Sequence, residues 1–145
     1  MTLPFIDEHR IRIAAPAAVV WRALPAGLPN VGDTFAKLYA TLVAAEPARA
    51  TGTLPDEGAT LPGFAVSEAV PEQRLKLSGK HRFSRYELDL ILDAEPAATV
   101  LRARSSAEFP GLLGSGYRLL VIGTGGHRII VPRMLRAIRR RAESA

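Results

Sequence analysis

The chain has 145 residues and no cysteine, which excludes disulfide scaffolds, cysteine zinc sites and thiol nucleophiles. Hydrophobic residues make up 48% and charged residues 23%, the balance of an ordinary folded domain and not of a disordered segment. The formal net charge of +5 rests on 16 Arg and 3 Lys, and six of those Arg (Arg128, Arg133, Arg136, Arg139, Arg140, Arg141) follow position 127.

The surplus is therefore a basic C-terminal segment on a nearly neutral body. Its simpler reading is a solvated helix face whose cations complement the negative end of the helix dipole. The alternative is weak docking to an anionic membrane surface or an acidic partner. No aromatic residues interleave with these arginines, so no nucleic-acid partner is expected. The opening, MTLPFIDEHR, lacks the basic-then-apolar pattern of a secretory signal. The longest apolar stretch, Leu119 to Gly126, falls short of the roughly 20 residues of a membrane span. The expectation is one cytoplasmic domain over residues 1–145.

From Phe5 to Ile13 the residues alternate. Phe5, Asp7, His9, Ile11 and Ile13 share one face, and Ile6, Glu8, Arg10 and Arg12 share the other, the period of a half-buried strand. Pro16 suits a first helical position, and Val20, Trp21 and Leu24 keep helical spacing until Pro25 and Gly27. Asp33 is a good N-cap for a second helix to about Ala45, with Phe35, Leu38, Tyr39, Leu42 and Val43 as its apolar stripe. Residues 46–63 read as a loop with room for a short edge strand.

Residues 64–109 predict an antiparallel meander. Phe64–Val70 is a strand, Pro71-Glu72-Gln73 a turn, and Leu75 and Leu77 alternate with Lys76 and Ser78. Tyr86, Leu88, Leu90 and Leu92 alternate with Glu87, Asp89 and Asp93. Glu95-Pro96-Ala97 turns the chain into a strand where Leu101, Ala103, Ser105 and Ala107 oppose Arg102, Arg104 and Glu108. A helical pattern from Leu112 to Ala142 (Tyr117, Val121, Val131, Leu135, Ile138) would cover the apolar face of this sheet. Its glycines and Pro132 predict a kink or break.

The chemistry-bearing motifs are sparse. Leu119 to Gly126 looks like a strand entering a dinucleotide-binding glycine turn, but the third glycine of G-x-G-x-x-G would fall on Arg128. Gly114-Ser115-Gly116 is not a nucleophile elbow, no phosphate-binding Gly-Lys-Ser/Thr occurs, and no cofactor is expected. His9, His81 and His127 lie on separate elements, so no metal site is expected. Asp7 and His9 share a strand face and could act as an acid–base pair if a cleft encloses them. Tyr39, Tyr86 and Tyr117 are ordinary packing residues in a solid core and hydrogen-bonding groups in a hollow one.

The segment Ile11-Arg12-Ile13-Ala14-Ala15-Pro16-Ala17-Ala18-Val19-Val20-Trp21, with the element order that follows, resembles the SRPBCC superfamily. This is the START and polyketide-cyclase group, whose helix-grip fold is also used by pollen-allergen-like proteins. The chain is more similar to a branch of bacterial members without assigned activity than to the well-studied cyclases. The resemblance implies an α+β architecture in the order β-α-α-β(meander)-α, with a curved antiparallel sheet wrapped around a long C-terminal helix. It also implies a hydrophobic cavity for lipids or polyketides, and shares no catalytic motif that could be carried over.

The leading expectation is binding of a small hydrophobic or amphipathic ligand. Its lining would be Trp21, Tyr39, Tyr86, Leu88, Leu90, Leu101, Ala103, Tyr117, Val121 and Val131. The small inward residues Gly79, Ala103, Ser105 and Ala107 are expected to leave room for it. A cyclase or dehydratase using Asp7, His9 and Tyr86 is the second expectation, and docking through the arginine-rich helix the third.

Overall fold

The computed structural model describes residues 3–28, 52–61, 64–81, 84–109, 111 and 126–145. The alternating segment forms strand β1 (Phe5–Ile13). Pro16 stands just before helix α1 (Ala17–Ala23) as an extended N-cap, one position earlier than its favoured place inside a helix. Its carbonyl accepts from the amides of Val19 and Val20. A 3-10 turn (Leu24–Gly27) follows, where Pro25 and Gly27 end the regular helix.

The meander comprises β2 (Thr60–Leu61), β3 (Phe64–Val70), β4 (Arg74–His81), β5 (Ser84–Glu95) and β6 (Ala98–Glu108). All pairings are antiparallel, and the six-stranded order β1-β6-β5-β4-β3-β2 seats the first strand beside the last. The short strand β2 is the edge strand that the 46–63 region had room for. Pro71 and Pro96 set the first corner of two hairpins, and the residues behind them, Glu72 and Ala97, take φ of 66° and 58°. The expected helix from Asp33 to Ala45 lies outside the described residues.

Helix α2 (Gly126–Glu143) runs through Pro132 without ending there, and the earlier part of the expected helical pattern, residues 112–125, lies outside the described residues. Proline costs one helical hydrogen bond, and burial of Val131, Leu135, Ile138 and Ala142 offsets it. The helix packs on β1, α1 and the 3-10 turn. Gly27 is required at that crossing, because a Cβ there would lie 2.7 Å from the Met134 carbonyl oxygen and 2.6 Å from Ile138. At the far end, Glu143 Oε2 accepts from the Ala14 amide at 2.8 Å, fastening the helix to the β1–α1 junction.

Residues directly opposite each other on antiparallel strands share a face. The inner face therefore carries rows such as Ile11–Leu101–Leu92, His9–Ala103–Leu90–Leu75 and Asp7–Ser105–Leu88–Leu77. One end of it is fully packed, with Ile13, Leu75, Leu90 and Leu101 closed off by Val20, Leu24, Leu135 and Ile138.

The outer face is a lattice of opposite charges. Glu8 accepts from Arg10 at 2.7 Å and Arg102 at 3.2 Å, Arg102 also donates to Asp93, Arg12 pairs with Glu95, and Arg74 grips Asp89. The hydrogen bond from Arg10, and then the charge of Arg102, hold the Glu8 carboxyl below its ordinary range against the opposing pull of burial.

One assignment is corrected. A bulge between Phe5 and Asp7 pairs Phe5 with Ser106 and Asp7 with Ser105, which moves Phe5 to the outer face. There its ring is 55% exposed and stacks under the Arg104 guanidinium at 4.9 Å.

Candidate functional site

The inner face changes character along β6. At the packed end the Thr99 hydroxyl, fully buried, donates to the Ala15 carbonyl at 2.9 Å. On the same face of the same strand, Ser105 is 6% exposed, and its hydroxyl has no hydrogen-bond partner among the described residues. A buried hydroxyl with no partner is uncommon in folded proteins, because nothing repays its lost hydration.

Three polar groups accompany Ser105 at that end. Asp7 is directly opposite it on β1, and His9 is the next inner residue of that strand. The His9 ring meets Asp7 with Nε2 3.2 Å from Oδ2, both side chains being about one quarter exposed (28% and 26%). A carboxylate against one ring nitrogen orients the imidazole and favours its proton on that side. Tyr86 faces Ala107 on one neighbour and Gly79 on the other, and its half-buried ring stands edge-on to Phe64 with centroids 5.1 Å apart. Leu88 supplies the apolar partner opposite Ser105.

Two hollows open on the described residues, and neither is lined by Ser105, Asp7 or Leu88. One, of about 190 Å³, lies between β1 and α2 and is lined by His9, Arg10, Ile11, Pro132, Leu135, Arg136 and Arg139. The other, of about 420 Å³, is lined by Leu3, Gly79 and Tyr86 together with the outer-face residues Ser78, Lys80, Arg85 and Glu87.

The residues singled out from the sequence divide into three groups. Asp7 and His9 meet on β1, while Tyr86 and Leu88 share the same face on β5, two strands away across β6. Leu90, Leu101, Ala103 and Val131 sit in the packed core, and Trp21 lies half-buried against it. Tyr39, Tyr117 and Val121 lie outside the described residues. Ala103 corrects an expectation. Its small side chain opens no room, because neighbouring Leu90 and Leu101 close over it and leave it 0% exposed. Sequence reading counted Ser105 only as a space-maker. The available signal was a hydroxyl at an inward position of an otherwise apolar alternation. Among the described residues no group of three or more His, Asp or Glu is placed to hold a metal ion. Nor is any described helix long and apolar enough to cross a membrane.

No protein-family model matches the chain, and no curated protein matches it. Solved structures do. The crystal structure of TTHA0849 from Thermus thermophilus is 16% identical, covers 97% of this chain and 98% of its own, and superposes with a TM-score of 0.58. The Zhui aromatase/cyclase from a Streptomyces species is also 16% identical, with 98% and 94% covered and a TM-score of 0.56. The chain has the helix-grip fold. CV1439 from Chromobacterium violaceum, 13% identical with 95% and 99% covered, shares that fold at a TM-score of 0.56. The helix-grip architecture, a sheet curved against the C-terminal helix, accounts for the order β1-β6-β5-β4-β3-β2 and for the packing of α2. At these identities the likeness concerns the fold and not an activity.

Proposed function

We propose that the protein binds a small amphipathic molecule, lipid-like or polyketide-like, against the polar end of the inner face. Its apolar body would rest on Leu88 and the Tyr86–Phe64 pair. Its polar group would meet Ser105, Asp7 and His9. The observation that carries this reading is the Ser105 hydroxyl, buried opposite Asp7 and without a hydrogen-bond partner among the described residues. A ligand oxygen or hydroxyl there would satisfy a group whose isolation otherwise costs roughly 1–3 kcal/mol. The aromatase/cyclase among the structural neighbours supports a small-molecule role through shared fold alone.

The Asp7–His9 contact favours a second reading, catalysis of cyclase or dehydratase type. His9, oriented by Asp7, would move a proton at a ligand carbon or hydroxyl, and Tyr86 would donate to a carbonyl oxygen. Binding is the broader statement, because it needs no reactive substrate.

Titration with the neutral fluorophore Nile red, followed by native mass spectrometry of the complex, tests the binding reading. One saturable site is expected in the parent protein. Ser105→Leu, which puts a large apolar side chain opposite Leu88 in place of the hydroxyl, is expected to weaken it by about tenfold or more, since each tenfold is only about 1.4 kcal/mol. A parent protein that takes up no probe, or a Ser105→Leu variant that binds it unchanged, contradicts the proposal.

A further inference from the structure

On the outer face of the sheet, basic side chains such as Arg10, Arg12, Arg74 and Arg102 each have a carboxylate partner. Helix α2 is different. Its sequence holds no acid between Gly126 and Ala142. Arg136 and Arg139 have no ion pair or hydrogen bond among the described residues. These two guanidiniums, one helical turn apart, line the 190 Å³ hollow between α2 and β1 together with Arg10, which is held by Glu8. The floor is apolar, formed by Ile11, Pro132 and Leu135, and His9 connects it to the polar end of the inner face.

We infer that this cleft anchors an oxyanion, carboxylate or phosphate, at the head of an amphipathic ligand, with Arg136 and Arg139 as the anchoring pair. The inference rests on the ligand-binding reading above and adds the charge class of the ligand. Guanidinium groups match carboxylate and phosphate oxygens with paired hydrogen bonds, and two unpaired cations at i and i+3 repel until an anion joins them. Glu143, four residues on from Arg139, accepts from the Ala14 amide. Asp7 is turned to His9, and Glu8 lies on the outer face between Arg10 and Arg102.

The size of the hollow agrees with a head group. At 190 Å³ it holds about six waters' worth of volume at ~30 Å³ each, below the roughly 300–1,000 Å³ of pockets that enclose a whole drug-sized ligand. The apolar remainder of the ligand would then lie outside this hollow.

Isothermal titration of the full chain with octanoate, octyl phosphate, neutral 1-octanol and inorganic phosphate tests the anchor. The parent protein should bind both octyl anions about tenfold or more tighter than 1-octanol, with an affinity that falls as salt rises. Arg136→Gln with Arg139→Gln should erase that preference and leave 1-octanol binding unchanged. Arg133→Gln with Arg140→Gln removes equal charge from two positions of the same helix that do not line the hollow and should leave the preference intact.

Equal affinity for anions and 1-octanol in the parent overturns the anchor while leaving the ligand reading standing. No binding of any octyl compound overturns both. If the Arg133/Arg140 pair matters as much as Arg136/Arg139, general charge attraction replaces the site. Sedimentation with phosphatidylglycerol vesicles without binding of soluble octyl anions overturns it in favour of a membrane surface. Arginine-dependent binding of inorganic phosphate that equals octyl phosphate keeps the oxyanion site and removes the octyl chain from it.

Discussion

Thr99 and Ser105 stand on the same face of the same strand, six positions apart, and meet opposite fates. Thr99 is sealed under the α1 junction, where its hydroxyl finds the Ala15 carbonyl. Ser105 is almost as deeply buried and finds no partner among the described residues. The packed end is built for stability, with apolar rows closed by α1, the 3-10 turn and α2. At the other end the same sheet carries Asp7, His9, Ser105 and Tyr86, groups that favour a cavity or a ligand over a dry core. On the proposed binding role, one sheet divides its inner face between holding the fold and meeting a small molecule.

The largest break in that comparison comes from removing the lid of the packed end. Deleting everything after Gly126 takes away Val131, Leu135 and Ile138, and burial of each such side chain stabilises by about 1.5–3 kcal/mol. Their sum rivals much of a domain's total stability of roughly 5–15 kcal/mol. The truncated chain should lose its cooperative thermal transition and aggregate. A soluble product with a sharp transition would show that the packed end does not depend on α2.

The smallest effect is expected on the outer face, which neither end of the comparison uses. Glu8→Gln should cost only a few tenths of a kcal/mol near neutral pH, because exposed ion pairs contribute little. Its pH dependence has a definite sign. The folded-state carboxyl is held below its ordinary range, so its contribution is present above that range and is lost as pH falls through the lowered value. The stability difference between parent and variant should accordingly shrink in acid. Urea melts at a series of pH values measure it, and a difference that grows in acid contradicts the ion-pair account.

Much of this arrangement is legible in the sequence. Period-two alternation places Asp7 and His9 with Ile11 and Ile13, and Pro71 and Pro96 mark the hairpin corners. What escapes is geometry that alternation does not encode. The bulge at β1 sends Phe5 to the outer face, because one extra residue reverses the count without changing the residue types. Ala103 reads as spare room, yet packing around it depends on how far Leu90 and Leu101 reach. Inward placement of Ser105 follows from its neighbours, but its lack of a partner depends on groups brought from other strands. Arg136 and Arg139 are visible as part of a basic helix. That they line one hollow with His9 depends on packing between the two ends of the chain.

The claim that the two ends of the inner face serve different purposes is tested most directly by a paired measurement of stability and Nile red affinity in Thr99→Val and Ser105→Ala. Thr99→Val leaves the Ala15 carbonyl buried without its donor and should cost about 1–3 kcal/mol while probe affinity in the folded protein stays unchanged. Ser105→Ala removes an unsatisfied hydroxyl and should stabilise the free protein by up to about 1 kcal/mol. The same change should weaken ligands whose polar group meets residue 105, with hydroxylated ligands affected more than Nile red. If Ser105→Ala destabilises the protein as Thr99→Val does, and binding is unaltered, Ser105 is an ordinary core residue and the division of the inner face is wrong.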